Sequence, residues 1–427
     1  MPGLSPAESL NAPVPRATIS AARPCRLALR TLPIILRQKD NVVLNSLHVR
    51  VTTGTAISCF NSTNVRLKNL KIEHAAEQGS GIYFDRCHGL HIEDVSIASI
   101  GASRPNTRCR KPYSDCDSIN GVASRDISIK RARLRGGSTG IELHDTPQAR
   151  LTDIVVLNTL GPYPRGQCVQ FSQSDGASLD RFHCFNDPAK SWTEDSISVW
   201  RSAHVKIANG LVDGNNSPTG VGVMFENDDP HAVGGVIDNV DAIHMGNGCF
   251  SGYPARGLRM THCRCGWNRC GGQGGRAPPM SHGRMWAAGH PTADQPDAAQ
   301  MINAPKPRDG SVTSRGIIVA HSRYWQACNR SLSPSWASTE DAYASVQIKE
   351  QAFVPRPPIS LRFCFELAGA EGTSLHSLHA SHRAVSSAPR RHVDQTGDRG
   401  EAAHESMPAM QRVAMASKRL RRAARNP

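Results

Sequence analysis

An eight-position pattern, apolar-x-apolar-x-x-apolar-x-apolar, recurs along the first two thirds of the chain. It reads Val65, Leu67, Leu70, Ile72, then Leu90, Ile92, Val95, Ile97, then Ile127, Ile129, Ala132, Leu134. Weaker copies centre on Leu44, Leu151, Leu179, Ile207, Ile237 and Met260. With the second apolar position as marker, successive copies lie 23, 25, 37, 22, 28, 28, 30 and 23 residues apart. The shortest steps set a unit of about 22 residues, and the longer ones carry insertions, which repeat proteins tolerate on one face. Each unit also holds a second, shorter strand of period two: GTAIS, Gly81 to Phe84, Gly140 to Leu143, CVQF, Ser196 to Val199 and Gly222 to Phe225. Gly, Asn, Asp and Ser join the two, which is turn chemistry and leaves no room for a helix.

One such unit cannot bury its own apolar face, whereas stacked units can, each strand pairing with its copies above and below. The pattern therefore predicts an all-β protein, a right-handed single-stranded parallel β-helix. Its β-helix domain is expected at 41–366, with regular coils over 41–265, an irregular loop over 266–315 and last strands within 316–366. Residues 1–40 read as a disordered or cap segment, and 367–427 as a disordered basic tail. Leucine-rich repeats have similar periods, but their Asn-centred consensus is missing.

Composition agrees. Aromatic residues are 5% of the 427, while Gly numbers 36 and Pro 28, which suits short strands and many turns. The net charge of +14 is uneven: Arg412 to Pro427 holds six Lys or Arg and no acid. No aromatic residue interleaves with these, which argues against nucleic-acid recognition and for a solvated tail. No run of about 18 apolar residues is present, so no membrane span is expected. The apolar stretch Leu27 to Leu36 is broken by Arg30 and Pro33 and makes a poor signal-peptide core. The thirteen cysteines are dispersed and read as small buried apolar residues. The tightest group, His262, Cys263, Cys265 and Cys270, lacks the two pairs of a zinc finger, so no metal site is assigned there.

The variable corner precedes the short strand, and there the candidate chemistry collects. Glu194, Asp195 and Asp213 are the candidate catalytic residues. Arg165, Trp192, Asn215, Asn216 and Glu226 are the candidate substrate-binding residues. Carboxylates and amides hydrogen-bond sugar hydroxyls, Trp packs on a pyranose face, and Arg pairs with a uronic acid. Two carboxyl groups can also cleave a glycosidic bond. The plainer reading of each residue is a turn-closing side chain.

Thr193 to Glu226 resembles the pectin-lyase-like superfamily, and within it the polygalacturonase family. That family has an acidic pair opening a strand, then an N-x-x-I repeat, then Gly-His-Gly one coil on. Glu194 and Asp195 stand at the acidic pair, and Gly220-Val221-Gly222 at Gly-His-Gly. Val221 can neither move nor orient a proton, and Arg165-Gly166-Gln167 carries no acid one coil earlier. The resemblance implies the fold, a polysaccharide or glycan partner and a secreted or periplasmic protein, with the family's hydrolytic set incomplete. A protein that cleaves or modifies uronate-containing glycans, as lyase, glycoside hydrolase or epimerase, is one reading. A non-catalytic surface or glycan-binding β-helix is the other. For a lyase, Ca²⁺ is the candidate cofactor, with Glu194, Asp195, Glu226, Asp228 and Asp229 as oxygen donors.

Overall fold

The computed structural model describes residues 25–75, 79–100, 116–161, 166–187, 190–191, 193–215, 221–227, 229, 231–245, 248–252, 255–266 and 359–366, and the backbone of four short strands between 318 and 349. The segment 1–24, nearly all of the loop expected at 266–315, and the tail 367–427 lie outside these residues.

The described residues form strands and turns, without a helix. Long strands are β1 (Ala28–Arg30), β3 (Val43–Val51), β5 (Thr63–Ala75), β7 (His88–Ile100), β9 (Arg125–Arg135), β11 (Arg150–Leu157), β13 (Ser178–Phe185), β15 (Lys206–Asn215) and β17 (Val236–Met245). Short strands alternate with them: β2 (Ile34–Arg37), β4 (Ile57–Phe60), β6 (Ile82–Asp85), β8 (Ile119–Val122), β10 (Ile141–His144), β12 (Val169–Ser172), β14 (Ile197–Trp200), β16 (Val221–Glu226) and β18 (Gly248–Gly252). The long strands stack in chain order in a 15-stranded sheet and the short ones in a nine-stranded sheet. Every pairing is parallel, which makes the molecule a parallel β-helix. Six strands extend the long sheet beyond β17: β19 (Arg259–Thr261), β20 (Arg264–Gly266), β21 (Ile318–Ala320), β22 (Arg323–Trp325), β23 (Ala342–Ala344) and β24 (Gln347–Lys349).

The marker residues of the repeat form one register row. Leu44 pairs with Leu67, Leu67 with Ile92, and the row runs through Ile129, Leu151, Leu179, Ile207 and Ile237 to Met260. From Leu67 onward each is almost fully buried. The two-residue spacer in the pattern is a corner. Asn69, Asp94, Arg131, Asp153, Arg181, Asn209 and Asn239 hold φ between 51° and 59° there and bend each long strand. Asn and Asp enter this left-handed region at least cost. Their side chains also bridge coils: Asn69 Nδ2 donates to Asn45 Oδ1 (3.0 Å), and Arg181 Nε to Asp153 Oδ1 (2.8 Å).

A second corner follows each short strand, at Asn61, Arg86, Ala123, Asp145, Gln173 and Arg201, with φ of 47–51°. The next residue turns a hydroxyl inward. Ser174 Oγ accepts the Thr146 N–H (3.1 Å), Ser202 Oγ the Ser174 N–H (2.8 Å), and Asn227 Oδ1 the Ser202 N–H (3.0 Å). This ladder satisfies backbone donors that would otherwise be buried without partners.

The cysteines depart from the sequence reading. Cys59–Cys87, Cys168–Cys184 and Cys249–Cys265 are disulfides, and Cys116 is also oxidised. Coil stacking makes distant cysteines neighbours, which dispersal along the chain conceals. Cys265 is thus committed to Cys249, Cys263 is buried and in no disulfide, and Cys270 lies outside the described residues. A fourth bond, Cys25–Cys364, joins residues 339 apart. It anchors a returning segment, 359–366, against the outward side of the long sheet. Leu361 and Phe363 cover Val155 there, and the Arg133 guanidinium lies 5.1 Å from the Phe363 ring centre and binds Glu366. No helix among the described residues is long and apolar enough to cross a membrane.

His74 is fully buried. Its Nδ1–H donates to the Gly79 carbonyl (2.9 Å), and its Nε2 accepts from Ser99 Oγ (2.9 Å). Burial lowers its pKa to about 4, against the opposing pull of the Gly79 carbonyl.

Two predictions follow from these contacts. Cys25→Ser with Cys364→Ser is expected to cost about 2–4 kcal/mol, read as a lower guanidinium midpoint; an unchanged midpoint would refute the end-to-end clasp. His74 favours the neutral folded state, so its contribution is complete above the unfolded pKa and lost as pH falls through about 4. His74→Gln should flatten the decline in unfolding free energy over that window, and an unaltered slope would assign it elsewhere.

Candidate functional site

The corner between each long strand and the following short strand is the irregular one. It is short between Arg135 and Ile141 and long between Ile100 and Ile119. Even so, in three coils the residue two before the short strand makes the same bond. Thr55 Oγ1 accepts the Ser80 N–H (3.2 Å), Asp117 Oδ1 the Thr139 N–H (2.9 Å), and Asp195 Oδ1 the Val221 N–H (2.7 Å). Asp195 is therefore held by the same device as Asp117, and Val221 sits buried beneath it.

The position before this one is small in the other described coils: Gly79, Cys116, Ser138 and Gly166. Space explains it. A Cβ on Gly79 would lie 2.4 Å from the Gly54 carbonyl carbon, and one on Gly166 would lie 2.8 Å from Gly161 Cα. In the coil of β14 this place holds Glu194.

Asp195 is buried, and Glu194 beside it is half-buried. Glu226, at the end of β16 on the next coil, adds its charge to both. Burial is the first cause of the raised Glu194 pKa, followed by the charges of Asp195 and Glu226. Asp195 is also raised, first by burial and then by Glu226, while the Val221 N–H works in the opposite direction. Both directions keep protons on carboxyl groups at neutral pH, the state a general acid needs. Beside them the Thr193 hydroxyl is buried with no hydrogen-bond partner.

The other sequence candidates separate. Asn215 is structural: its Nδ2 donates to the Glu194 carbonyl, to Ser196 Oγ (3.3 Å) and to the Val221 carbonyl (3.3 Å). Asp213 is buried on the outward row of the long sheet, in register with Phe185 and Ile243, and is not among the charges that shift Glu194 or Asp195. Arg165, Trp192 and Asn216 lie outside the described residues, as does Asp228. Among the described residues no group of three or more His, Cys, Asp or Glu is arranged to hold a metal ion, so nothing here supports Ca²⁺.

The outward face of the nine-stranded sheet adds residues that reading the corners missed. In register along it run Tyr83, Asn120, Glu142, Gln170, Ser198 and Met224. Beside them run Asp85, Val122, His144, Ser172, Trp200 and Glu226. Trp200 is half-buried, with the Arg201 guanidinium 4.4 Å from its ring centre. Burial holds the His144 pKa below its usual value, against the nearby Asp145. The period-two alternation of GIELH, CVQFS and SISVW marks all of these as outward positions.

No family model matches the chain, and no curated protein matches it in sequence. Solved structures do. A periplasmic alginate epimerase, in a point-variant form, is 10% identical over 79% of this chain and 81% of its own, with a TM-score of 0.45. The tailspike protein of an E. coli bacteriophage, in complex with a pentasaccharide, is 10% identical over 76% and 53%, with a TM-score of 0.42. The catalytic domain of an alpha-1,3-glucanase, in complex with nigerose, is 14% identical over 53% and 45%, with a TM-score of 0.35. This chain spans less than half of that glucanase domain's length. At such identities no residue correspondence is drawn.

The raised carboxyl groups make stability fall with alkali. Their protonated forms are favoured in the fold, so the benefit is complete below the unfolded pKa and is lost as pH rises through the folded one. Glu194→Gln is expected to raise the melting temperature at alkaline pH and leave it nearly unchanged at mildly acidic pH. A constant difference across that range would contradict a half-buried, protonated Glu194.

Proposed function

We propose that this β-helix binds a polysaccharide along the outward face of its short sheet and cleaves or modifies it where Glu194, Asp195 and Glu226 meet that face. The observation that carries the reading is Glu194 itself: an ionisable side chain forced into a place where the neighbouring coils keep Gly, Cys or Ser. Half-buried Gln170 offers hydrogen bonds to sugar hydroxyls, and Trp200 an apolar surface. In glycosidic cleavage, protonated Glu194 would donate its proton to the departing oxygen. Glu226, at the end of β16 on the next coil, would serve as base or nucleophile. In the uronate-directed reading Arg165 pairs with the substrate carboxylate. The disulfides support folding in an oxidising compartment, in keeping with a secreted or periplasmic protein.

A non-catalytic glycan-binding protein is the second reading, favoured by Asp195, whose bond to the Val221 N–H repeats the purely structural bond of Asp117.

Incubation with a panel of neutral and acidic polysaccharides, following reducing ends and the absorbance of unsaturated products, separates the two. For an enzyme, Glu194→Gln should lower turnover by about 10²–10⁴-fold with binding retained. Absence of turnover on every polymer, with binding indifferent to Glu194→Gln, Asp195→Asn and Glu226→Gln, would leave the binding protein.

A further inference from the structure

We infer that Asn61 is an acceptor for an N-linked glycan, added as the chain passes through an oxidising secretory compartment. The inference rests on that compartment, which the disulfides support, and not on the polysaccharide reading above.

The chain holds three Asn-x-Ser/Thr triplets without Pro in the middle: Asn61-Ser62-Thr63, Asn215-Asn216-Ser217 and Asn329-Arg330-Ser331. Such a triplet is the acceptor pattern for N-glycosylation, and the linked sugar, being bulky and hydrated, requires an amide at the surface. As sequence the three are alike, and the fold separates them. Asn215 is buried, and its Nδ2 donates to the Glu194 carbonyl, Ser196 Oγ and the Val221 carbonyl. A sugar on that nitrogen would break these bonds inside the corner. Asn329 lies outside the described residues. Asn61 is exposed.

Asn61 stands on the corner that follows β4, at φ 47°. Its neighbours in the stack, Gln38 below and Arg86 above, are both described. The Asn61 N–H donates to the Asp85 carbonyl (3.0 Å), and its Oδ1 accepts from Arg86 Nε (2.9 Å). These bonds fix the backbone and the side-chain oxygen. They leave Nδ2 without a hydrogen bond among the described residues. Transfer would join Nδ2 to the anomeric carbon of an oligosaccharide carried on a lipid pyrophosphate. The lipid pyrophosphate leaves with the electron pair of its bond to that carbon, and Nδ2 gives up one proton and keeps the other. Oδ1 retains its bond to Arg86, so the product fits the contacts already present. Along the short sheet β4 is five strands from β14, about 24 Å at about 4.8 Å per strand, so the glycan leaves the acidic corner open.

The test is peptide mapping of the full chain as secreted by its own source, with disulfides mapped in the same preparation. An amidase that releases N-linked glycans in heavy-oxygen water converts each occupied Asn to a labelled Asp. The label is expected at Asn61 and absent at Asn215. Asn61→Gln should abolish it, and Gln173 holds the equivalent corner at φ 50°, so this variant suits the backbone. Thr63→Ala should also abolish it with Asn61 intact, whereas Thr63→Ser should retain it. Thr63 is exposed and its hydroxyl binds only Asp40, so neither change touches the core. Asn61 unlabelled in a protein with its disulfides formed would overturn the inference and leave the oxidising compartment standing. Label at Asn215, or label at Asn61 that persists in Thr63→Ala, would overturn it as well. Reduced cysteines together with an unlabelled Asn61 would overturn both the inference and the compartment.

Discussion

Register is the constraint on which the rest of this structure depends. In a parallel stack each residue lies directly above its counterpart, so any residue placed inside must suit the coils on both sides. An aliphatic row satisfies this without geometric demands, which is why Leu67, Ile92, Ile129, Leu151, Leu179, Ile207 and Ile237 repeat with little variation. Bulk can vary only when a neighbour gives way. Gly210 lies where a Cβ would meet the Phe182 ring at 2.1 Å, so a large ring in one coil is matched by no side chain in the next. Polar groups obey the same rule, since Ser62, Ser124, Ser174 and Ser202 each accept a backbone N–H from an adjacent coil.

The same stacking that builds the core also sets the chemistry of the acidic corner. Asp195 is buried because its row is buried, and Glu194 beside it is half-buried. Desolvation then raises both carboxyl groups, and the next coil brings Glu226 close enough to raise them further. A scaffold with a fixed interval between coils is well suited to this effect. It places like charges near one another with no adjustment of the backbone, and the resulting cost is carried by the contacts of neighbouring coils.

Most of the fold was legible because its determinants are local and repeated. The eight-position pattern is visible in any single copy, and the marker residues fell into one row. What escaped the sequence was whatever depends on contact between coils. Cys168 and Cys184 are separated by the same interval as Cys249 and Cys265, a signal of equivalent places in two coils, but nothing local distinguishes them from buried thiols. Trp200 and His144 were hidden differently. Their alternation was plain, yet attention to the variable corners passed over the regular face between them. Asn215 was read as a ligand for sugar because an amide near a carboxylate suits that role; its donors are in fact directed at carbonyl and hydroxyl oxygens of the corner itself.

The distinction between a ladder residue and a functional one can be drawn from what the coil requires. Asp195 meets a requirement that Thr55 and Asp117 also meet, so its presence is explained by the fold alone, whatever else it does. Glu194 meets no such requirement. At Gly79 and Gly166, two of its counterparts, backbone approaches closely, and a carboxyl group at this place loses solvation and gains a like charge beside it. Local sequence that opposes the rule of its own scaffold, with no compensating contact that stabilises the fold, is the mark of a residue retained for another purpose. The argument for function therefore rests on Glu194 more than on the acidic pair as a unit. Val221 is buried and its backbone N–H serves Asp195, so in the proposed cleavage the proton is assigned to the carboxyl groups and not to the place of the family's histidine.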